Sequence, residues 1–555
     1  MSRFPISTSA FKALISSLLL ISGILSLIDS SGFTFIAAIH RVPTLMSLNL
    51  GNGIVILNLI LLITWSLVYL IDGIDWWLGV PLIGVAAIPL FGPHGAVAVI
   101  SLGAFLIGLK RWKDWPEVVF WVLFTFLILE SSALIYWALL PIVTTSFLEP
   151  AAGLESDVFY LSSTLASVPL FILLFGWVPK LFRNKTPVKE VTARKSTFTK
   201  YNWALLALSL CVAAVAGLYP YASNINPHGL IVGYDNDSYL DAAKQIASDP
   251  MNIFTLFEGQ RPVVLGLIYL TLKVTGADAL SVLISLSSVL LPLMAASSAF
   301  LAWEVFRDGD VASLASLLTA CGVFTVESMY GFFLSNMLGL GLSFLSLALL
   351  FRGLRTRSHL TFILSVLVGL LVLYSHNFTF YLYFGALALV CLVYLLLHRT
   401  ALSNFEAKWV IIILVTFTLI LVLSGSAEFG VSMLSPQFTS QAGWPSSGYT
   451  SISAGFTFNL LLFALAAIGA WRTTGKDFPK LYLSIIIALS GIAFIFLTEV
   501  YQFRLLINIP LGILAAFGVQ EARGTLRSRN TQNIFLLLVI VSILTYLLRS
   551  LGNLI

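Results

Sequence analysis

Long apolar runs recur from one end of this chain to the other, each closed by a turn or a small charged cluster. No other feature restricts the fold as much. Backbone in lipid must satisfy every N–H and C=O internally, so runs of about 20 apolar residues fold as spanning helices. Composition agrees: 59% of the 555 residues are hydrophobic and 10% are charged, against roughly 25% charged in a soluble domain. A soluble chain could not keep so much apolar side chain from water. An ordinary soluble enzyme, a disordered chain and a disulfide scaffold are thereby excluded. The expectation is an all-α polytopic membrane protein with about 16–17 transmembrane helices. Cys211, Cys321 and Cys391 lie inside apolar runs and read as small core residues, not as a disulfide or metal set.

Candidate spans fall near 12–29, 53–71, 77–92, 95–109, 116–140 and 158–182. Further spans fall near 203–219, 279–305, 311–326, 332–351, 359–375, 378–397, 409–425, 455–471, 480–498, 504–520 and 532–551. The run after Arg3 and Lys12 has no clear small-residue cleavage site, and is expected to be the first spanning helix. Between the two sets lies a basic stretch holding Lys185, Lys189, Arg194, Lys195 and Lys200. It divides an N-terminal module, 1–182, from a second membrane domain, 203–555, through a linker at 183–202.

The positive-inside rule orients this layout. With the N-terminus cytoplasmic, the inner ends receive Lys110-Arg111-Trp112-Lys113, the linker, Arg352 with Arg355 and Arg357, and Arg523 with Arg527 and Arg529. The outer side receives Glu149, Glu155, Asp157, Asp235, Asp237 and Glu428. Counting 262–274 as a full span would carry Arg352–Arg357 outside, so this short apolar segment is expected to dip into the interface without crossing. The formal net charge of +5 belongs to cytoplasmic loops, and no nucleic-acid partner is expected. The reading is an integral protein of the cell membrane.

Polar residues gather where helices reach the outer face. The outer loop 220–261 contains Gly233-Tyr234-Asp235-Asn236-Asp237-Ser238-Tyr239-Leu240, then Asp241, Ala243, Lys244 and Ile246. Tyr239, Ala243 and Ile246 share one helical face, and Asp237, Asp241 and Lys244 another. This predicts an amphipathic helix on the membrane surface, with Asp235 or Asn236 placed to cap it. Other outer clusters are Glu258 with Arg261; Glu327, Tyr330, Ser335 and Asn336; Ser375-His376-Asn377; and Glu499, Tyr501, Gln502 and Arg504. Any one ionisable group at a membrane edge can simply snorkel. Acid, histidine and arginine converging on one face point instead to a site. Asp235 and Asp237 could hold a divalent cation, Mg²⁺ or Mn²⁺, through oxygen ligands. Asn236-Asp237-Ser238 and Asn377-Phe378-Thr379 also fit the N-glycosylation triplet.

Residues 200–520 resemble the integral-membrane glycosyltransferases of the GT-C fold, which use polyprenyl-phosphate-linked sugar donors. The resemblance rests on pattern and order. It comprises Tyr234-Asp235-Asn236-Asp237-Ser238-Tyr239-Leu240 leading to Ala243, then Arg261-Pro262 and Thr275-Gly276, then Ser375-His376, and finally Tyr501-Gln502-Phe503-Arg504. The Trp-Trp-Asp signature of oligosaccharyltransferases and their soluble domain are absent, and the helices before residue 200 are additional to the family core. The resemblance implies that Asp235, or failing it Asp237, is the base toward an acceptor hydroxyl or a cation ligand. Arg504, Arg261 and His376 would then meet the donor phosphate, since a guanidinium matches phosphate in a bidentate way. Glu258, Glu327, Asn377 and Tyr501 complete the candidate set. The implied partners are a lipid-linked sugar donor, membrane lipids and an acceptor that is protein, lipid or glycan. Two other classes compete: a multi-span transporter or lipid flippase, and a non-catalytic scaffold subunit. A transporter needs polar groups at mid-depth on several helices, whereas here polarity gathers on one face.

Overall fold

The computed structural model describes residues 173–174, 197–223, 226–228, 232–397, 404–423, 459–473, 478–496, 499–525 and 529–552. The expected N-terminal module apart from 173–174, most of the basic linker and residues 424–458 lie outside these residues. Among the described residues every regular element is helical. The protein is an all-α polytopic membrane protein. Six described helices are long and apolar enough to cross a bilayer: Lys200–Tyr221, Ala279–Phe306, Gly309–Gly331, Leu334–Thr356, Asn377–Tyr394 and Gln532–Leu551.

The described helices run in chain order. α1 is Lys200–Leu218, α2 Asn236–Ser248, α3 Pro262–Thr275, α4 Ala279–Phe306, α5 Gly309–Ala320, α6 Val323–Gly331 and α7 Leu334–Thr356. α8 is His359–Leu373, α9 Asn377–Leu397, α10 Asn404–Leu423, α11 Leu460–Arg472, α12 Phe478–Phe496, α13 Glu499–Asn508, α14 Leu511–Thr525 and α15 Arg529–Gly552. The described residues fall into two compact units. The site lies wholly in the one that comprises the described residues of Leu170–Gly448, Gly469–Gln520 and Tyr546 onward.

Local signals explain several boundaries. Thr199 and Asn202 close a reciprocal capping box that starts α1. Asp278 caps α4, accepting from the Ser281 N–H at 3.0 Å. α4 packs against α1, α5 and α7, and α7 packs in turn against α8. The α5–α6 segment and α7 are 94% and 89% buried, against 28% for α1, so they form the inside of this unit while α1 is largely exposed.

α3 is helical and amounts to about 21 Å, short of the roughly 30 Å hydrocarbon core. Two expected spans contain an interruption. The run 504–520 is not one helix: α13 ends at Asn508 and α14 starts at Leu511. Pro510 lacks an N–H, and its ring excludes the carbonyl four residues back. The expected span 311–326 lies within the span-length segment Gly309–Gly331, which turns at Cys321-Gly322 between α5 and α6.

Candidate functional site

The loop that precedes α2 is anchored by backbone before any side chain acts. Tyr234 N–H donates to the Tyr330 carbonyl at 3.1 Å, and Asp235 N–H donates to the Gly331 carbonyl at 2.9 Å. Both carbonyls belong to the free C-terminal end of α6, where helix acceptors need outside donors. The close approach requires Gly233, whose φ is +99° and whose Cβ position would lie 2.5 Å from the Phe332 Cβ. Phe332 is itself left-handed, at φ 54°, and fully buried. Such a conformation in a bulky residue persists only under strong packing.

α2 then runs as expected. Tyr239, Ala243 and Ile246 are buried, while Asp237 and Asp241 are exposed. Asp235 occupies the cap position, yet its side chain makes no capping hydrogen bond. Asn236 does not cap either. It is fully buried, and its amide donates to the Val232 carbonyl at 2.9 Å and to the Tyr221 hydroxyl at 3.0 Å. That burial also leaves the first glycosylation triplet without an accessible amide.

The half-buried Asp235 carboxylate instead faces Arg261, with Oδ2 at 3.9 Å from Nη1. Arg261 stands just before α3, where Pro262 opens the helix. Its guanidinium donates to the Tyr239 hydroxyl at 3.0 Å and lies over the Phe257 ring at 4.8 Å. The Tyr239 hydroxyl also accepts from the Ser335 N–H at 3.2 Å. One phenol therefore ties α2, the α3 entrance and the start of α7 together.

Arg504, from α13, bears on the same carboxylate. Burial raises the Asp235 pKa above the ordinary carboxylate value, while Arg261 and Arg504 pull it down. The same two arginines act on His376, whose pKa is pushed down to about 3, first by burial and then by these charges. Arg261 and Arg504 thus act electrostatically on both Asp235 and His376, the four residues coming from four segments. Gly339 lets α7 pass His376 closely, since a Cβ there would meet the histidine Cβ at 2.8 Å.

Beneath His376 lies a buried polar network. Thr379 Oγ1 sits 2.7 Å from His376 Nδ1, 2.7 Å from Asn508 Oδ1 and 2.9 Å from Asn336 Oδ1. Asn508 Nδ2 donates to the Arg504 carbonyl at 2.7 Å, and the Tyr383 hydroxyl donates to the Asn508 carbonyl at 2.6 Å. The break at Pro510 therefore joins the Arg504 helix to the His376 helix.

The remaining candidates are placed less centrally. Asp237 is exposed on the first turn of α2 and Asn377 is half-buried as the first residue of α9. Glu327 is buried on α6. Glu258 falls on the short 3-10 helix Leu256–Gly259, and Tyr501 on α13 one turn before Arg504. Asp235 and Asp237 stand two residues apart at a helix start, roughly 200° around its axis, so they diverge. Among the described residues no three His, Cys, Asp or Glu cluster as a metal set. A cation at Asp235 would also have to compete with Arg261. Two divergent carboxylates, one of them 3.9 Å from a guanidinium, offer a divalent cation few ligands of their own.

Tyr239, Thr379 and Asn508 carry more of the site than their local sequence indicates. Tyr239 was legible as a buried-face residue but not as a junction. Asn508 had one signal, an amide two residues before Pro510 in an apolar run. The chain matches no protein-family model and no curated protein.

Proposed function

We propose that this protein is a membrane glycosyltransferase that moves a sugar from a polyprenyl-phosphate donor to an acceptor hydroxyl at the outer face. The supporting observation is the convergence of one half-buried carboxylate with two guanidiniums and a histidine. Asp235 takes the proton of the acceptor hydroxyl, and the oxygen forms its bond to the anomeric carbon. The bond from that carbon to the phosphate oxygen breaks, and polyprenyl phosphate leaves with the electron pair. Arg261 and Arg504 hold the phosphate and meet its developing charge. The raised pKa of Asp235 suits a base, because a more basic carboxylate abstracts a proton more readily.

Titration with a polyprenyl-phosphate hexose tests the phosphate assignment. Arg504→Lys keeps the charge and loses the planar fork, so donor affinity is expected to fall while the unfolding midpoint holds. Unchanged apparent affinity in Arg504→Ala would remove this arginine from the site. A protein that moves labelled lipid or solute across vesicles without forming a glycosylated product would instead be a transporter.

A further inference from the structure

The network under His376 has more acceptors than protons, and counting them assigns the histidine tautomer. Asn508 cannot be flipped. Its Nδ2 donates to the Arg504 carbonyl at 2.7 Å, and reversal would set two carbonyl-type oxygens against each other at that distance. Its Oδ1 therefore points at Thr379 Oγ1, 2.7 Å away, and needs the single hydroxyl proton. That proton cannot also serve His376 Nδ1, which lies 2.7 Å from the same oxygen. The contact is attractive only if Nδ1 carries the hydrogen. Asn336 satisfies the remaining lone pair when its amide is turned to present Nδ2 to Thr379 Oγ1 at 2.9 Å. Every atom around the hydroxyl then has its complement.

The alternative places Nδ1 as acceptor of the Thr379 N–H at 3.3 Å. It exchanges a long, weak bond for two buried acceptors 2.7 Å apart with no proton between them.

We propose that Thr379 is a positioning residue that holds His376 with its proton on Nδ1, leaving Nε2 as the acceptor atom of the ring. The tautomer follows from the network alone, and its catalytic meaning rests on the transferase reading. A neutral ring with a bare Nε2 cannot donate to a phosphate oxygen. Phosphate is left to Arg261 and Arg504, and His376 receives a hydrogen bond from a donor group such as a sugar hydroxyl. This replaces the phosphate role that the sequence suggested for His376.

The test is ¹⁵N NMR of histidine-labelled full-length protein in nanodiscs without substrate. The chain has six histidines, and the ring that vanishes in His376→Gln identifies this one. Couplings to the ring protons separate Nδ1 from Nε2. A pyrrole-type Nδ1 and a pyridine-type Nε2 are expected in the wild type and in Thr379→Ser, with that pattern lost in Thr379→Val. A pyrrole-type Nε2 in the wild type would overturn the assignment. An unchanged pattern in Thr379→Val would remove Thr379 from the role. Because no turnover is read, an inactive protein with Nδ1–H would sink the transferase reading and leave this one standing.

Discussion

At the scale of single residues, Asp235 stands in two opposed fields. Burial favours its neutral form, and Arg261 and Arg504 favour the anion; burial prevails and the pKa is raised. The folded state thus binds this proton more readily than the unfolded chain does. Its stabilising contribution is present below the ordinary carboxylate value and is lost as pH rises through the raised one. At neutral pH the ionised group is a net cost. Asp235→Asn is therefore expected to be at least as stable as wild type near pH 7, with an advantage that grows as pH rises from about 4 through the raised value. Unfolding midpoints of the two proteins across that range check it. A variant that becomes relatively less stable as pH rises would show that the arginine pairing outweighs burial. The sequence ranked Asp235 ahead of Asp237 and put Asp237 on the polar face of α2, but it gave no measure of how far Asp235 is buried. That depends on which way α2 faces, and this is set by the anchoring of Tyr234 and Asp235 to the α6 carbonyls.

At the scale of elements, the loop, α6 and α13 set the geometry. Gly233 combines φ +99° with a Cβ position 2.5 Å from Phe332, so Gly233→Ala is strained both in backbone and in packing. Its expected cost is about 1–3 kcal/mol, together with a displaced Asp235 and reduced turnover. Gly266→Ala is the control, because a Cβ within α3 there meets nothing within 4 Å. It is expected to be neutral or to stabilise by about 0.5–1 kcal/mol. Equal midpoints for both variants would contradict the tight loop contact. The amphipathic α2 was legible because its buried and exposed residues follow one helical period. The helix break at Pro510 was not, because unbroken hydrophobicity outweighed one proline in reading the span. Nor could the Thr379–Asn508 bond be read locally, since it joins residues 129 apart.

At the scale of the whole molecule, apolar runs and positive-inside charge supplied the membrane class and most helix boundaries in 203–555. They supplied no geometry between helices, because lipid-facing sequence carries little pairing information. The expected topology puts α2 outside and the α7–α8 turn inside. Single cysteines at Asp237 and Arg357, both exposed, should be labelled by an impermeant reagent from opposite sides; labelling from one side would refute the layout. If Asp235 is the base of a sugar-transfer site, its loss appears in turnover. Wild type, Asp235→Asn and Asp237→Asn would be reconstituted with a radiolabelled polyprenyl-phosphate hexose and a mixture of protein, lipid and glycan acceptors. Labelled product and released polyprenyl phosphate would then be counted. The expected result is turnover by wild type and Asp237→Asn, with a fall of about 10²–10⁴-fold in Asp235→Asn. Full turnover by Asp235→Asn would contradict the account.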